Sequence, residues 1–175
     1  MTEAQLSNAM DAYGSTVYRL ALTRMQNIAD AEDVYQEVFL QLWKQAAEDW
    51  DGDRAKAWLI RTTLNRCADL HRFHLRRPVL SFAEIPDLAQ PEDESRELWE
   101  AVSRLPEKAR TAVHLYYAEG YSAEEISQLM HIPAATVRTR LHRARKQLKE
   151  LLGGIDDETC VSRSDGTNFG PQRAE

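Results

Sequence analysis

The chain is poor in the residues that define several protein classes. It holds only 2 cysteines, Cys67 and Cys160, in 175 residues. That excludes a disulfide framework and leaves no closely paired thiols for a zinc knuckle. Its 7 glycines are scattered, so neither common Gly-rich phosphate loop can be assembled. No apolar run approaches the roughly 20 residues of a membrane span, and Met1-Thr2-Glu3-Ala4 lacks the basic and apolar parts of a signal peptide. The expectation is a soluble, cytoplasmic protein without membrane insertion. No nucleophile, base and orienting group fall into a recognisable set, so no catalytic residue, metal or cofactor is expected.

What is present is ordinary in bulk, with 43% apolar and 29% charged residues, enough for one domain or two small ones. The net charge of −6 conceals a pattern. Residues 54–77 carry seven basic side chains against one acidic, and residues 104–152 carry nine against five. The stretches before, between and after are acidic. An acidic protein with two basic patches can meet nucleic acid at two places.

Nearly every segment has helical periodicity, and the fold class expected is all-α. Leu6, Met10, Tyr13, Val17, Leu20, Ala21 and Met25 mark a first helix. Asp30 reads as the N-cap of a second, which carries Val34, Val38 and Leu42 and runs to about Ala47. A third spans about Arg54–Leu75. Its inward half holds Leu59, Ile60, Leu64, Cys67 and Leu75, and its outward half Trp58, Arg61, Thr62, Asn65, Asp69, Arg72 and Arg76. Cys67, His71 and His74 stand at i, i+4 and i+7, a spacing that can bind zinc. They fall on the inward face without a fourth ligand nearby and read as structural. Residues 78–95, with three prolines, read as a linker that spans at most roughly 60 Å when extended, nearly two turns of B-DNA at about 34 Å each.

Beyond it, Leu98, Val102 and Leu105 mark a helix ended by Pro106, and Ala109, Val113 and Tyr117 another ended by Gly120. Ser122 and Glu125 form a capping box. It opens a short helix, a turn at His131-Ile132-Pro133, and a long basic helix from Ala134 to Leu152. This is the layout of a helix-turn-helix. Arg138, Arg140, His142, Arg143, Arg145, Lys146 and Lys149 point outward as groove and phosphate donors, with Thr139 among them. A solvated basic helix within a bundle is the bland alternative. Residues 153–175 are polar and aperiodic, and are expected to form a disordered tail.

Leu105-Pro106-Glu107-Lys108, Gly120-Tyr121-Ser122-Ala123-Glu124-Glu125-Ile126 and Ile132 through Arg145 resemble region 4 of bacterial sigma factors, nearest to the extracytoplasmic-function (ECF) group. The resemblance implies that Arg138, Thr139, His142 and Arg143 face the −35 promoter element, with Lys146 alongside, and that this domain also docks on the β flap of RNA polymerase. Two positions depart from the pattern. His131 stands where the turn often has glycine, and Tyr116 where a DNA-contacting arginine can stand.

Upstream, Asp30-Ala31-Glu32-Asp33-Val34-Tyr35-Gln36-Glu37-Val38-Phe39-Leu40-Gln41-Leu42-Trp43 is similar to the strongest motif of sigma region 2. Residues 54–77 are similar to the segment that melts and binds the −10 element. The resemblance implies that Asp33, Gln36, Glu37 and Gln41 meet the β′ clamp helices. It also implies that Trp58, Arg61, Thr62, Asn65, Arg72 and Arg76 serve the −10 strand, with Asn65 near a flipped-base pocket rimmed by residues 49–56. Residue chemistry agrees: capture of unpaired bases calls for cations, an aromatic, and amide or hydroxyl groups. Packing of Trp58 under a neighbouring helix is the competing reading.

The organisation expected is therefore a region 2 domain over 1–77, the linker over 78–95, a region 4 domain over 96–152 and the tail. The function implied is promoter recognition and DNA melting as a non-enzymatic subunit of core RNA polymerase, under an anti-sigma factor. A stand-alone helix-turn-helix regulator is the alternative.

Overall fold

A computed structural model describes residues 1–45, 52–76 and 93–153, and every regular element among them is helical. Helix α1 runs Glu3–Met25 and opens on a capping box. The Gln5 amide donates to Thr2 Oγ1 at 3.2 Å, and the Thr2 amide donates to Gln5 Oε1 at 2.7 Å. Gln26 ends it in the left-handed region at φ 51°. Helix α2 runs Ile28–Lys44. Its cap is Asn27, not the expected Asp30: Asn27 Oδ1 accepts from the Asp30 amide at 2.9 Å. Asparagine caps as well as aspartate, and starting earlier lets Ile28 pack on the core. The buried face of α2 is Ala31, Val34, Val38, Phe39 and Leu42. Gly14 lets α1 and α2 approach closely, since a Cβ there would stand 3.0 Å from the Tyr35 hydroxyl.

Helix α3 runs Gly52–Arg76, and its burial departs from the pattern in two places. Thr62 is buried, although it was placed outward, and Leu75 is 83% exposed, although it was placed inward. The reason is that α3 is covered from more than one side. Leu59 and Cys67 join the first core with Val17, Ala21, Val34, Val38, Phe39 and Leu42. Ile60 and Leu64, together with Leu20 of α1, join a second core built mainly from the C-terminal half. The buried arc is therefore wider than half a helix. Leu75, by contrast, lies beyond Leu70, the last apolar residue of α3 that packs on either core.

The C-terminal half begins with α4, Asp93–Ser103, and α5, Glu107–Val113. A π-helical turn, His114–Ala118, continues α5 up to Gly120 at φ 77°. Helix α6, Ala123–Met130, carries the expected capping box: the Glu125 amide donates to Ser122 Oγ at 3.2 Å, and the Ser122 amide donates to Glu125 Oε2 at 2.8 Å. His131 takes the left-handed turn at φ 52°, ψ 47°, and Ser127 Oγ donates to Ile132 O at 2.6 Å, tightening the corner. Helix α7 runs Ala134–Leu151 and buries Val137, Leu141 and Ala144. Leu105, Leu115, Ile126, Leu129 and these three residues fill the second core, into which the first half inserts Leu20, Ile60 and Leu64. The two halves are thus in direct apolar contact. Most of the sequence-defined linker, residues 78–92, lies outside the described residues, as do 46–51, which held the expected end of α2 and part of the pocket rim, and the tail from residue 154.

Candidate nucleic-acid interface

On α7, burial of Val137, Leu141 and Ala144 fixes the opposite face toward solvent by the 3.6-residue period. Arg138, Thr139, His142, Arg143 and Lys146 are all exposed there. His142, Arg143 and Lys146 form no ion pair among the described residues. Arg138 is instead held by Glu124 of α6, so it is anchored across the helix-turn-helix corner. Thr139 Oγ1 donates to Ala135 O at 2.9 Å, which leaves its lone pairs to accept. The face can therefore offer cationic donors to phosphates and to guanine edges.

On α3, Arg61, Asn65, Arg72 and Arg76 are exposed. Arg72 is partly neutralised by Asp69 at 2.6 Å. Trp58 is half-buried against the first core, and Thr62 is buried, so neither is a freely presented base platform. By spacing Arg66 belongs with these outward cations, but it is half-buried. It instead turns to α2, where Glu37 holds it, and with its amide oxygen facing the guanidinium Gln41 lies 3.1 Å from Arg66 Nε. The basic track on α3 is consequently Arg61, Arg72 and Arg76, with the Asn65 amide between them.

On α2, Asp33 and Gln36 are exposed, while Glu37 and Gln41 are half-buried through their tie to Arg66. Two residues beside them went unremarked from sequence: Leu40 is 45% and Trp43 41% exposed. With Gln36 they fall at i, i+4 and i+7, so the same stripe is apolar as well as polar. The signal was available, because a helix whose core positions are Val34, Val38 and Leu42 has no inward place for Trp43.

Burial pushes the Cys67 thiol up to about 12, so it stays protonated, and His71 and His74 turn to different acids, Glu107 at 3.8 Å and Asp30 at 3.4 Å. No group of three potential metal-binding side chains occurs among the described residues, and no described helix is long and apolar enough to cross a membrane.

The sequence matches the family model for sigma-70 region 2 over residues 9–77 and that for sigma-70 region 4 over residues 95–148. The chain belongs to the sigma-70 family of RNA polymerase sigma factors. Within that family its relatives are of the extracytoplasmic-function group. It is 33% identical over 161 residues to the ECF RNA polymerase sigma factor SigE of Mycolicibacterium smegmatis, covering 86% of this chain and 62% of that one. It is 32% identical over 155 residues to the ECF sigma factor SigM of Bacillus subtilis, covering 83% of this chain and 94% of that one. The chain thus spans less than two thirds of the SigE relative. Its fold matches the sigma factor RpoE of Bartonella quintana, solved with the anti-sigma factor NepR, at a TM-score of 0.72 and 24% identity, over 85% of this chain and 97% of that one.

Proposed function

We propose that this chain is a promoter-specificity subunit that joins core RNA polymerase, reads duplex −35 DNA with α7, and captures unpaired −10 bases with α3 while the polymerase supplies the chemistry. The observation that carries this is the division of surfaces on one chain. The α7 face is cationic, α3 offers arginines with an amide, and α2 offers an acidic and apolar stripe that would repel DNA but suits a protein partner. Arginines at Arg138 and Arg143 suit phosphate clamping or bidentate guanine contact. On α3, Asn65 reads base edges while Arg61, Arg72 and Arg76 hold the strand. Trp43 and Leu40 anchor the polymerase, with Asp33, Gln36, Glu37 and Gln41 setting register. The same stripe is where an anti-sigma factor competes, in the cytoplasm. The test is transcription in vitro with core polymerase on a library of random upstream sequences. Enrichment of two spaced elements supports the reading. Tight duplex binding with no effect on the polymerase would favour a stand-alone helix-turn-helix regulator instead.

A further inference from the structure

Two apolar stripes of the C-terminal half run on past the core that covers them. On α7 the inward stripe is Val137, Leu141, Ala144, Leu148 and Leu151. The first three are buried and Leu148 packs on the second core, but Leu151 is 36% exposed. Around α4 the stripe runs back from Leu105 through Ala101, both buried, to Leu98, which is 48% exposed, with Trp99 beside it at 39%. The two overrunning ends belong together. Helix α6 takes the first turns of α7, through Ile126, Leu129 and the Glu124–Arg138 pair, and α4 also packs on α7, which leaves it the later turns. Among the described residues, Leu98, Trp99 and Leu151 therefore form an exposed apolar patch at the end of the module.

The chain that leaves this patch indicates what covers it. Helix α7 closes with the Leu152 amide donating to Leu148 O at 2.9 Å, and Gly153 follows at φ 74°. A left-handed glycine past a helix end turns the chain back across the last turn and brings an apolar residue just beyond it onto that turn. The first apolar residue beyond Gly153 is Ile155. Charge agrees. Asp156, Asp157 and Glu158 follow at once, and the last turns of α7 expose Arg145, Lys146 and Lys149. Lys146 and Lys149 stand about one turn apart, about 5 Å, within the roughly 10 Å that three extended residues span. Glu97 and Glu100, exposed on α4, repel the same acids and keep them on the α7 side.

We propose that residues 154–161 dock on the end of their own helix-turn-helix module: Ile155 seats against Leu98, Trp99 and Leu151, and Asp156, Asp157 and Glu158 lie along Lys146 and Lys149 as a built-in counterion. These eight residues thereby leave the segment expected to be disordered. Their role is to temper DNA affinity. Acids held beside Lys146 and Lys149 compete with phosphates for those cations, so sequence-independent binding, which depends on phosphate contacts, falls. That role rests on the DNA-reading assignment of α7; the docking itself does not.

The test uses the chain's own thiol. Cys67 is buried, so a thiol-reactive nitroxide is directed to Cys160, and the amide signals of the isotope-labelled full chain read its position. Broadening is expected over Leu98–Val102 of α4 and the last turn of α7, and Ile155→Asp should confine it to the end of α7 beside the attachment. Broadening unchanged by Ile155→Asp, or centred on Arg138–Arg143 of the outward face, overturns the docking. So does broadening of an isotope-labelled chain by a separate nitroxide-labelled one, which seats a second copy on the patch. Asp156→Asn, Asp157→Asn and Glu158→Gln together should tighten binding to a duplex of random sequence severalfold and steepen its log–log salt dependence by about 1–2. An unchanged slope overturns the counterion role. A chain whose segment docks but which binds no duplex at all overturns the reading of α7 instead.

Discussion

Helices α7 and α3 are the two basic helices of the molecule, and they differ in how many neighbours each must satisfy. α7 is covered on one side, by Val137, Leu141 and Ala144. Its outer face is what a simple helical wheel draws. α3 is wedged between the first core, through Leu59 and Cys67, and the second, through Ile60 and Leu64. It keeps only a narrow exposed strip. One helix is therefore a broad cationic surface suited to a groove, and the other a slim row of donors suited to a single strand.

The sharpest test of this contrast is Arg143→Ala, expected to weaken −35 duplex binding by about 1–3 kcal/mol, roughly 5- to 150-fold, with a shallower salt dependence if the contact is to phosphate. Fluorescence anisotropy of the holoenzyme on promoter DNA at several salt concentrations reads it. Unchanged affinity would remove α7 from the groove. Asn65→Ala comes next: a several-fold loss of permanganate-reactive thymines at the −10 element, with polymerase affinity untouched. Parallel losses of both would make Asn65 a folding residue. His131→Gly relieves a left-handed backbone at a residue with a Cβ and should raise stability by up to about 1 kcal/mol in urea unfolding. Glu124→Gln frees Arg138 from an exposed pair worth about 0–1 kcal/mol, so −35 affinity should rise by a few-fold at most. Thr62→Val should leave promoter opening unchanged, because Thr62 is buried. A clear loss there would show that Thr62 serves the DNA despite its burial.

Legibility followed the same divide. The capping box at Ser122 and Glu125, the turn at His131 and the outward face of α7 are local matters of spacing and capping chemistry, and the structure has them where the pattern put them, except that Arg140, placed outward, is half-buried on the flank of the helix. Asp30 was mistaken for a cap because an acid before an apolar period looks like one, whereas packing of Ile28 moved the start to Asn27. Thr62, Leu75 and Arg66 could not be placed from α3 alone, since their surroundings come from α2 and the C-terminal half. Arg110 was the least legible. In Ala109-Arg110-Thr111-Ala112-Val113 it reads as one more solvated cation, whereas the fold buries it and adds the carbonyls of Thr23 and Arg24 at the end of α1 to the nearby ones of Ser103 and Leu105.

The bridge from Glu37 to Arg66 ties α2, proposed to face the polymerase, and α3, proposed to hold the −10 strand, into one electrostatic object. Reversing the charge at Glu37 would set two cations against each other and release a guanidinium toward the exposed strip of α3. A defect in that variant would report on both surfaces together, and Trp43→Ala, which touches only one of them, is the cleaner probe of polymerase docking.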